Sequence, residues 1–502
     1  MGESSGGGVL PTPESTSIEV MAHLKAGKCT TVELIGHYLQ VLETTGRDLG
    51  AAVEVHSDSA LAAAQESDAR RASGNPLGKL EGVPFTAKMN ISTAEGTTDA
   101  ASGMLRGFKA NEDSTAVARL RAEGAILVGK SNCDEFAMGA SNESSHHGVV
   151  HNPWDRDRVP GGSSGGAAAL AGSFGWAFHL GSDTGGSIRQ PAAFCGATGL
   201  KPTWGRVSRR GLVAFGSSLD QIGPLTRDAR DAQLVLSVME GGDPLDATSQ
   251  DFDSVKTPTE TSAETTTETN SMKRIGLVSE GLTDAIDPEI RQRTLEVTEQ
   301  LKNMGHEVVE VSLSTLSKAN ACYQVIATAE ASSNLARFDG IHTGQRVESE
   351  DLEELYSKSR RQGFGAEVRR RIMLGTFVLS SGYIDAYYGK AQQVRHEIRQ
   401  EILSALDTVD SLMMPVSPFA PFKIGERVSD PLALYACDIL TVTANLAGVP
   451  AVAIPCGFDS GGLPIGLQWM GKHGDDHRLL DLATSLQDQD DAWRGLPPGG
   501  SQ

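Results

Sequence analysis

The chain of 502 residues lacks any run of about 18 apolar side chains, the length needed to cross a hydrocarbon core. No membrane span is therefore expected. Its six cysteines, Cys29, Cys133, Cys195, Cys322, Cys437 and Cys456, form no CxxC pair. That scatter argues against a zinc knuckle and a disulfide framework, and it fits a reducing compartment. The opening MGESSGGGVLPTPEST has neither the basic nor the apolar region of a signal or transit peptide. Residues 1–16 read as a disordered lead. Positive charge is also scarce: 44 Lys and Arg stand against 64 Asp and Glu, a formal net charge of −20. Non-specific affinity for nucleic acid comes from Lys and Arg neutralising phosphates, so a chain this acidic gains nothing from it. If nucleic acid enters its biology, a partner chain holds most of it.

What is present is ordinary for a globular protein: 39% apolar residues and 56 glycines. The length alone suggests two to four domains. Residues 17–45 carry two helical patterns, the second with Thr30 or Thr31 as N-cap and Leu34, Tyr38, Leu39 and Leu42 on one face. "LEGVPFTAKMN" (80–90) reads as a turn feeding a short buried strand that ends at Lys88. Helix, glycine stop and strand follow in 113–132. The same unit recurs at 273–313, where Asp287 caps a helix with Pro288 at its first position and Gly305 ends it before the strand Glu307–Val311. Strands alternating with helices of this length predict an α/β fold. The Thr- and Glu-rich stretch 249–273 has too little apolar surface to order itself and reads as a surface excursion. The tail 487–502 reads as loose.

Residues 160–196, PGGSSGGAAALAGSFGWAFHLGSDTGGSIRQPAAFCG, hold two glycine-crowded turns that both carry serine. Either alone is most simply a tight turn. Neither matches a phosphate loop or the GxSxG elbow of the α/β-hydrolases. Together they say more. Ser163 and Ser187 are separated by a small-residue helix (Gly166–Ala171) and an apolar strand (Trp176–Leu180), which brings the second turn back across the first. Backbone N–H groups around Asp-Thr-Gly-Gly then point into one space, as an oxyanion hole requires. A serine needs a base. His146, His147, His151 and His179 sit in no recognisable triad, and the first three make a poor metal site. Cys195 reads as a small buried side chain. Lys88 remains: an amine led inside by an apolar strand is desolvated, and a pKa near ~7–8 makes it a usable base.

The two turns resemble the signature of the amidase signature family, which carries a Ser–Ser–Lys triad. "KLEGVPFTAK", "SNCDEFAMG", "NPWDRDRVPGGSSGG", "RRRIMLGTFVLSSGYIDAYYGKAQQVR" and "NLAGVPAVAIPCGF" are similar, within that family, to the A subunits of the tRNA-dependent amidotransferases. The resemblance covers roughly 17–486. It implies a single large α/β/α domain around a mixed β-sheet, with Ser187 as nucleophile, Ser163 as bridging serine after a cis peptide, and Lys88 as base. Thr184, Gly185 and Gly186 would supply the oxyanion hole, with Ser164, Asp183 and Arg189 as braces. The donor it implies is glutamine, its carboxylate held by Arg371 (or Arg369 or Arg370), its amine by Asp438, with Tyr323 lining the pocket. It further implies a cytoplasmic carbon–nitrogen ligase in a heterotrimer with B and C subunits. The B partner would use ATP and Mg²⁺ and contact misacylated tRNA, the small C partner would clamp the pair, and no metal or cofactor would sit in this chain. A free-standing amidase is the alternative. The sequence departs from the family where Lys88-Met89-Asn90 stands for Lys-Asp-Asn, and where "TDAAS" (98–102) replaces a cysteine-containing stretch.

Overall fold

Eleven strands hydrogen-bond into one mixed sheet in the computed structural model, which describes residues 8–252, 272–489 and 491–498. In chain order they are β1 (Ala52–Val55), β2 (Pro84–Lys88), β3 (Ile126–Ser131), β4 (Phe178–Asp183), β5 (Thr198–Lys201), β6 (Gln221–Thr226), β7 (Arg274–Val278), β8 (Glu307–Val311), β9 (Ser411–Pro415), β10 (Ala451–Phe458) and β11 (Pro464–Gly471). Across the sheet the order is β1-β3-β2-β4-β6-β5-β10-β11-β9-β7-β8. β2 runs parallel to both β3 and β4, whereas β4, β6, β5, β10, β11 and β9 pair antiparallel in turn. This is the α/β/α arrangement the resemblance implied.

Alternation along the strands sets the layers. Met413 of β9 points into a core formed with the helices Thr115–Ala122, Ala229–Met239 and Asp476–Gln487, while Leu412 and Met414 point the other way. On that second face lie the helices Leu316–Asn334, Ala366–Leu379 and Lys390–Thr408 at one end of the sheet. The helices Thr31–Val41, Ser57–Ala72, Gly165–Ser173 and Arg189–Cys195 cover the other end. Every residue of β2, β4 and β6 is buried. Strands covered on both faces read as continuous apolar or small-residue runs.

Several local expectations hold. Thr30 caps Thr31–Val41 in a capping box with Glu33, and Asp287 caps Pro288–Asn303. Others are corrected. β4 begins at Phe178 rather than Trp176, because the Trp176 ring packs outside the sheet on His37 and Phe174, and its Nε1–H donates to Thr12 O at 2.6 Å. That contact also corrects the lead: residues 8–16 lie against the body, with Gly175 N–H donating to Pro13 O, while 1–7 fall outside the described residues. The tail is likewise docked up to Gly495, since the buried Arg227 guanidinium donates to the carbonyls of Trp493 and Gly495. Residues 253–271 of the expected excursion lie outside the described residues, whereas Phe252 before them packs on His473.

The N-terminal helix Ser17–Lys25 is tied down by one buried carboxylate. Asp231 accepts from Ser17 N–H at 2.7 Å and Ile18 N–H at 3.0 Å. Asp231→Ala strips both donors of their acceptor and is expected to cost about 2 kcal/mol in chemical denaturation. An unchanged midpoint would show that this tether contributes nothing.

Candidate active site

β2 and β4 are parallel neighbours with Ala87 opposite Leu180, so their carboxyl ends emerge at the same edge of the sheet. In open α/β sheets this edge is where ligands bind. Lys88 is the last residue of β2, and the SDTGGS turn leaves β4 beside it.

Lys88 is fully buried. Its Nζ donates to Ser163 Oγ at 2.7 Å, Ser164 Oγ at 2.9 Å and Ser182 Oγ at 3.0 Å. Burial pulls its pKa from 10.5 to about 8, against the opposing influence of Cys133, Asp134, Asp183 and Asp220. The surrounding hydroxyls are not equivalent. Ser164 Oγ–H donates to Ser182 O at 3.2 Å, and Ser182 Oγ also accepts from Asn90 Nδ2 at 2.9 Å. Ser163 Oγ is engaged by Lys88 alone among the described residues. Neither Ser163 Oγ–H nor Ser182 Oγ–H is given an acceptor among the described residues, and of the two oxygens only that of Ser163 is left with a single donor. The Gly162–Ser163 peptide is cis. Asp134 holds Ser163 from outside through its N–H, which donates to Ser163 O at 3.1 Å.

The SDTGGS turn is held in place for identifiable reasons. Asp183 accepts from Gly186 N–H at 2.9 Å and Ile188 N–H at 3.2 Å, and it pairs with the buried Arg189 at 3.1 Å. Burial works to raise the Asp183 carboxyl, but Arg189, Lys201 and Asn445 outweigh it and hold the group below its ordinary value. Arg189 in turn reaches Thr441 O, Gln468 Oε1 and Asn445 Oδ1, tying the turn to segments 250 and more residues away. Ser187 O accepts from Ser164 N–H at 3.1 Å, which sets the two serine turns side by side.

Both glycines of the turn are fixed by their neighbours. A Cβ on Gly185 would lie 2.6 Å from the Tyr323 ring, and one on Gly186 would lie 2.2 Å from Thr441 Oγ1 at a φ of +137°. One expectation is corrected here. Gly186 N–H is spent on Asp183 and is not a free oxyanion donor. Among the described residues the N–H groups of Thr184, Gly185 and Ser187 donate to no other protein group.

Asp438 lies beside this turn, and Arg371 is ion-paired with Glu367 rather than with Asp438. Arg371 is buried between the rings of Phe215 and Tyr435, at 5.4 and 5.3 Å, and its Nε donates to Glu367 Oε1 at 2.8 Å. Arg369 and Arg370 face solvent, so of the three only Arg371 points inward. Asp438 Oδ1 is buried with no hydrogen-bond partner among the described residues and would be 3.2 Å from a Cβ on Gly186. Burial pushes its carboxyl well above the usual range. The structure thus joins Lys88 to Ser163 and Ser164 and sets Tyr323 and Asp438 against the glycines of the second turn, while no hydrogen bond joins Ser187 Oγ to Ser163 Oγ among the described residues.

Sequence reasoning missed Ser182, Asn90, Asp134, Asp220 and Glu367. Asp220 accepts the Thr184 hydroxyl at 2.6 Å. Only the spacing of Ser182 before Asp183 hinted at any of them. The two departures from the family pattern meet in space: Met89 packs in an apolar cluster with Ala101 and Cys133.

A buried amine held on serine hydroxyls, with a second serine turn hydrogen-bonded alongside, is an arrangement suited to acyl transfer. The Amidase family model matches residues 33–480, and the chain belongs to that family. It is 47% identical to the A subunit of glutamyl-tRNA(Gln) amidotransferase from Thioalkalivibrio sulfidiphilus, over 97% of this chain and 99% of that one. It is 48% identical to the same subunit of Bdellovibrio bacteriovorus, covering 91% and 93%. Among solved structures it resembles the A subunit of glutamyl-tRNA(Gln) amidotransferase from Thermotoga maritima, with a TM-score of 0.78, 35% identity and coverage of 99% and 100%. It also resembles the peptide amidase of Stenotrophomonas maltophilia, with a TM-score of 0.78, 28% identity and coverage of 98% and 100%.

Removing the Asp183 carboxylate leaves Arg189 charged, buried and unpaired. Asp183→Ala is expected to destabilise the fold by roughly 3–5 kcal/mol. A loss below about 1 kcal/mol in urea titration would contradict the bracing role.

Proposed function

We propose that this chain is the glutaminase component of a tRNA-dependent amidotransferase, and the observation that carries the reading is Lys88 buried against Ser163 in a chain whose relatives bear that name. Ser187 Oγ attacks the side-chain amide carbon of glutamine. Its proton passes to Ser163, and the Ser163 proton passes to neutral Lys88. Thr184, Gly185 and Ser187 N–H groups steady the developing oxyanion. As the C–N bond breaks, Lys88 returns a proton through Ser163 and ammonia leaves. Water then attacks the acyl-serine by the same relay and releases glutamate.

Glutamine is favoured over other amides by the charges opposite the turn. Arg371 has its Nε fixed on Glu367, which leaves its terminal nitrogens for a carboxylate. Asp438 has no partner at Oδ1 among the described residues, and a substrate ammonium seated against it would favour the ionised carboxylate that burial alone disfavours. Tyr323 lines the same space. Lysine, two serines and backbone donors complete the chemistry, so the chain itself needs no metal or organic cofactor.

The ammonia is used by the partner B subunit, which activates Glu-tRNA(Gln) or Asp-tRNA(Asn) with ATP and Mg²⁺, and the small C subunit joins the two. The charge of −20 fits that division, since tRNA contact falls to the partner. The complex works in the cytoplasm. No helix among the described residues is long and apolar enough to cross a membrane. The likeness to a peptide amidase keeps a free-standing amidase as the second reading.

One measurement separates them, and two variants test the site itself. With the B and C partners present, glutamine hydrolysis should rise on adding ATP and misacylated tRNA; indifference to both favours the free-standing amidase. Ser187→Ala should abolish hydrolysis, by more than ~10³-fold. Arg371→Lys should raise KM for glutamine about 10- to 100-fold with kcat little changed, the worth of one charge-assisted pair. An unchanged KM would remove Arg371 from the pocket.

A further inference from the structure

The segment from Phe215 to Asp220 reaches both halves of the site and carries a buried carboxylate that the proton relay does not use. Its place follows from the sheet. β4 and β6 are antiparallel with Asp183 opposite Gln221, so Thr184 leaves β4 at the edge where Asp220 leads into β6. Asp220 is 2% exposed. Its Oδ1 accepts from the Thr184 hydroxyl at 2.6 Å and from Gly216 N–H at 3.1 Å. Its Oδ2 accepts from Phe215 N–H at 2.9 Å and from the same Gly216 N–H at 3.1 Å. A Cβ on Gly216 would lie 3.2 Å from Thr184 Cγ2, so segment and turn are packed together as well as hydrogen-bonded.

The other end of the segment meets Arg371, whose guanidinium lies 5.4 Å from the buried Phe215 ring. Helices clasp the segment from outside. Ser218 N–H donates to Glu330 Oε2 at 2.9 Å, Asn334 Nδ2 to Phe215 O at 3.1 Å, and Arg395 Nη1 to Ser218 Oγ at 2.7 Å. Those contacts seat it against the helical layer. Asp220 ties it to the turn in which the N–H groups of Thr184 and Gly185 donate to no other protein group among the described residues.

Burial works against a charge here and pushes the Asp220 carboxyl up to about 6, while its three donors and Arg209 limit the rise. At neutral pH the group is mostly a carboxylate, and each of its oxygens takes two hydrogen bonds. Hydrogen bonds to a charged acceptor are short and roughly twice as strong as neutral ones, so they hold positions closely. An amide cannot replace it. Either orientation of an asparagine turns its NH2 on the Gly216 N–H, which now donates to both oxygens.

We infer that Asp220 is a positioning residue that couples the oxyanion turn to the arginine gripping the substrate carboxylate, through Thr184 on one side and Phe215 on the other. The inference rests on the function proposed above. Asp220 makes no hydrogen bond to Lys88, Ser163 or Ser187 among the described residues. It acts by holding the two ends of the pocket at one separation, so that the amide carbon sits beneath the donors while the carboxylate is gripped. Small displacements of either end are costly in rate.

The test uses the full chain purified with its B and C partners and follows glutamine hydrolysis per folded molecule, the folded fraction being read from urea unfolding. Thr184→Val removes the hydroxyl and keeps the N–H, and it should lower kcat about tenfold with KM little changed. Phe215→Leu should raise KM about threefold or more with kcat little changed. Asp220→Asn should do both. Adding Thr184→Val to Asp220→Asn should lower kcat by less than about twofold further, because the shared contact is already lost. A residue that only held the fold together would lower the folded fraction and leave kcat and KM of the folded molecules untouched. That result overturns the inference, as do fully multiplicative losses in the double variant. Where Asp220→Asn does not fold, Thr184→Val decides, and an unchanged kcat there overturns the inference. An unaltered complex that does not hydrolyse glutamine overturns the proposed function and the inference with it; every other outcome leaves that function standing.

Discussion

Lys88 Nζ sits out of reach of solvent, held by three serine hydroxyls. The rest of the site is organised around that placement. A lysine amine in water is protonated at neutral pH and cannot accept a proton, and a neighbouring carboxylate keeps it protonated to still higher pH. Here hydroxyls satisfy the donors, while burial disfavours the charge. Four acidic groups act on it from further away and limit the shift without cancelling it. The parallel pairing of β2 with β3 and β4 makes this possible, because it carries a charged side chain to the end of a strand covered on both faces.

Around that amine the structure divides labour between two kinds of contact. Shape is fixed by buried ion pairs and backbone hydrogen bonds: Asp183 with Arg189 for the SDTGGS turn, the Asp134 N–H on Ser163 O for the first serine turn, and Glu367 for the Arg371 side chain. Some of the groups left without internal partners among the described residues are ones a substrate would meet. They are the Ser163 hydroxyl beyond its contact with Lys88, the N–H groups of Thr184, Gly185 and Ser187, and Asp438 Oδ1. An unpartnered buried polar atom is costly, and a bound substrate would supply these with partners. The same economy explains the glycines. Gly185 and Gly186 let Tyr323, Thr441 and Asp438 close over the turn, and any larger residue would hold them off.

Much of this was legible in the chain. The Thr30 and Asp287 caps, the buried strand ending at Lys88 and the helix between the serine turns all follow from local rules. So does the choice of Lys88, since an apolar strand can only lead its terminal amine inward. What escaped sequence reading depends on long-range contact. Trp176 looked like strand but is claimed by the N-terminal segment, and that segment looked free because its partners lie about 160 residues away. Gly186 looked like an oxyanion donor until Asp183 was seen to occupy it. The run Arg369-Arg370-Arg371 is uniform in composition, and only helix phase against Phe215 and Tyr435 singles out the last. Met89 and the 98–102 stretch read as separate departures, yet Met89 and Ala101 share one apolar cluster with Cys133.

The most direct test is the titration of Lys88 itself, followed by NMR of the isotopically labelled amine and compared with the pH dependence of kcat/KM. The pKa is expected at about 8. Below it the amine is protonated and cannot accept from Ser163, so kcat/KM should fall as pH drops through that value and level off above it. A Lys88 that titrates near the ordinary 10.5, or a rate indifferent to pH across this range, would contradict the account.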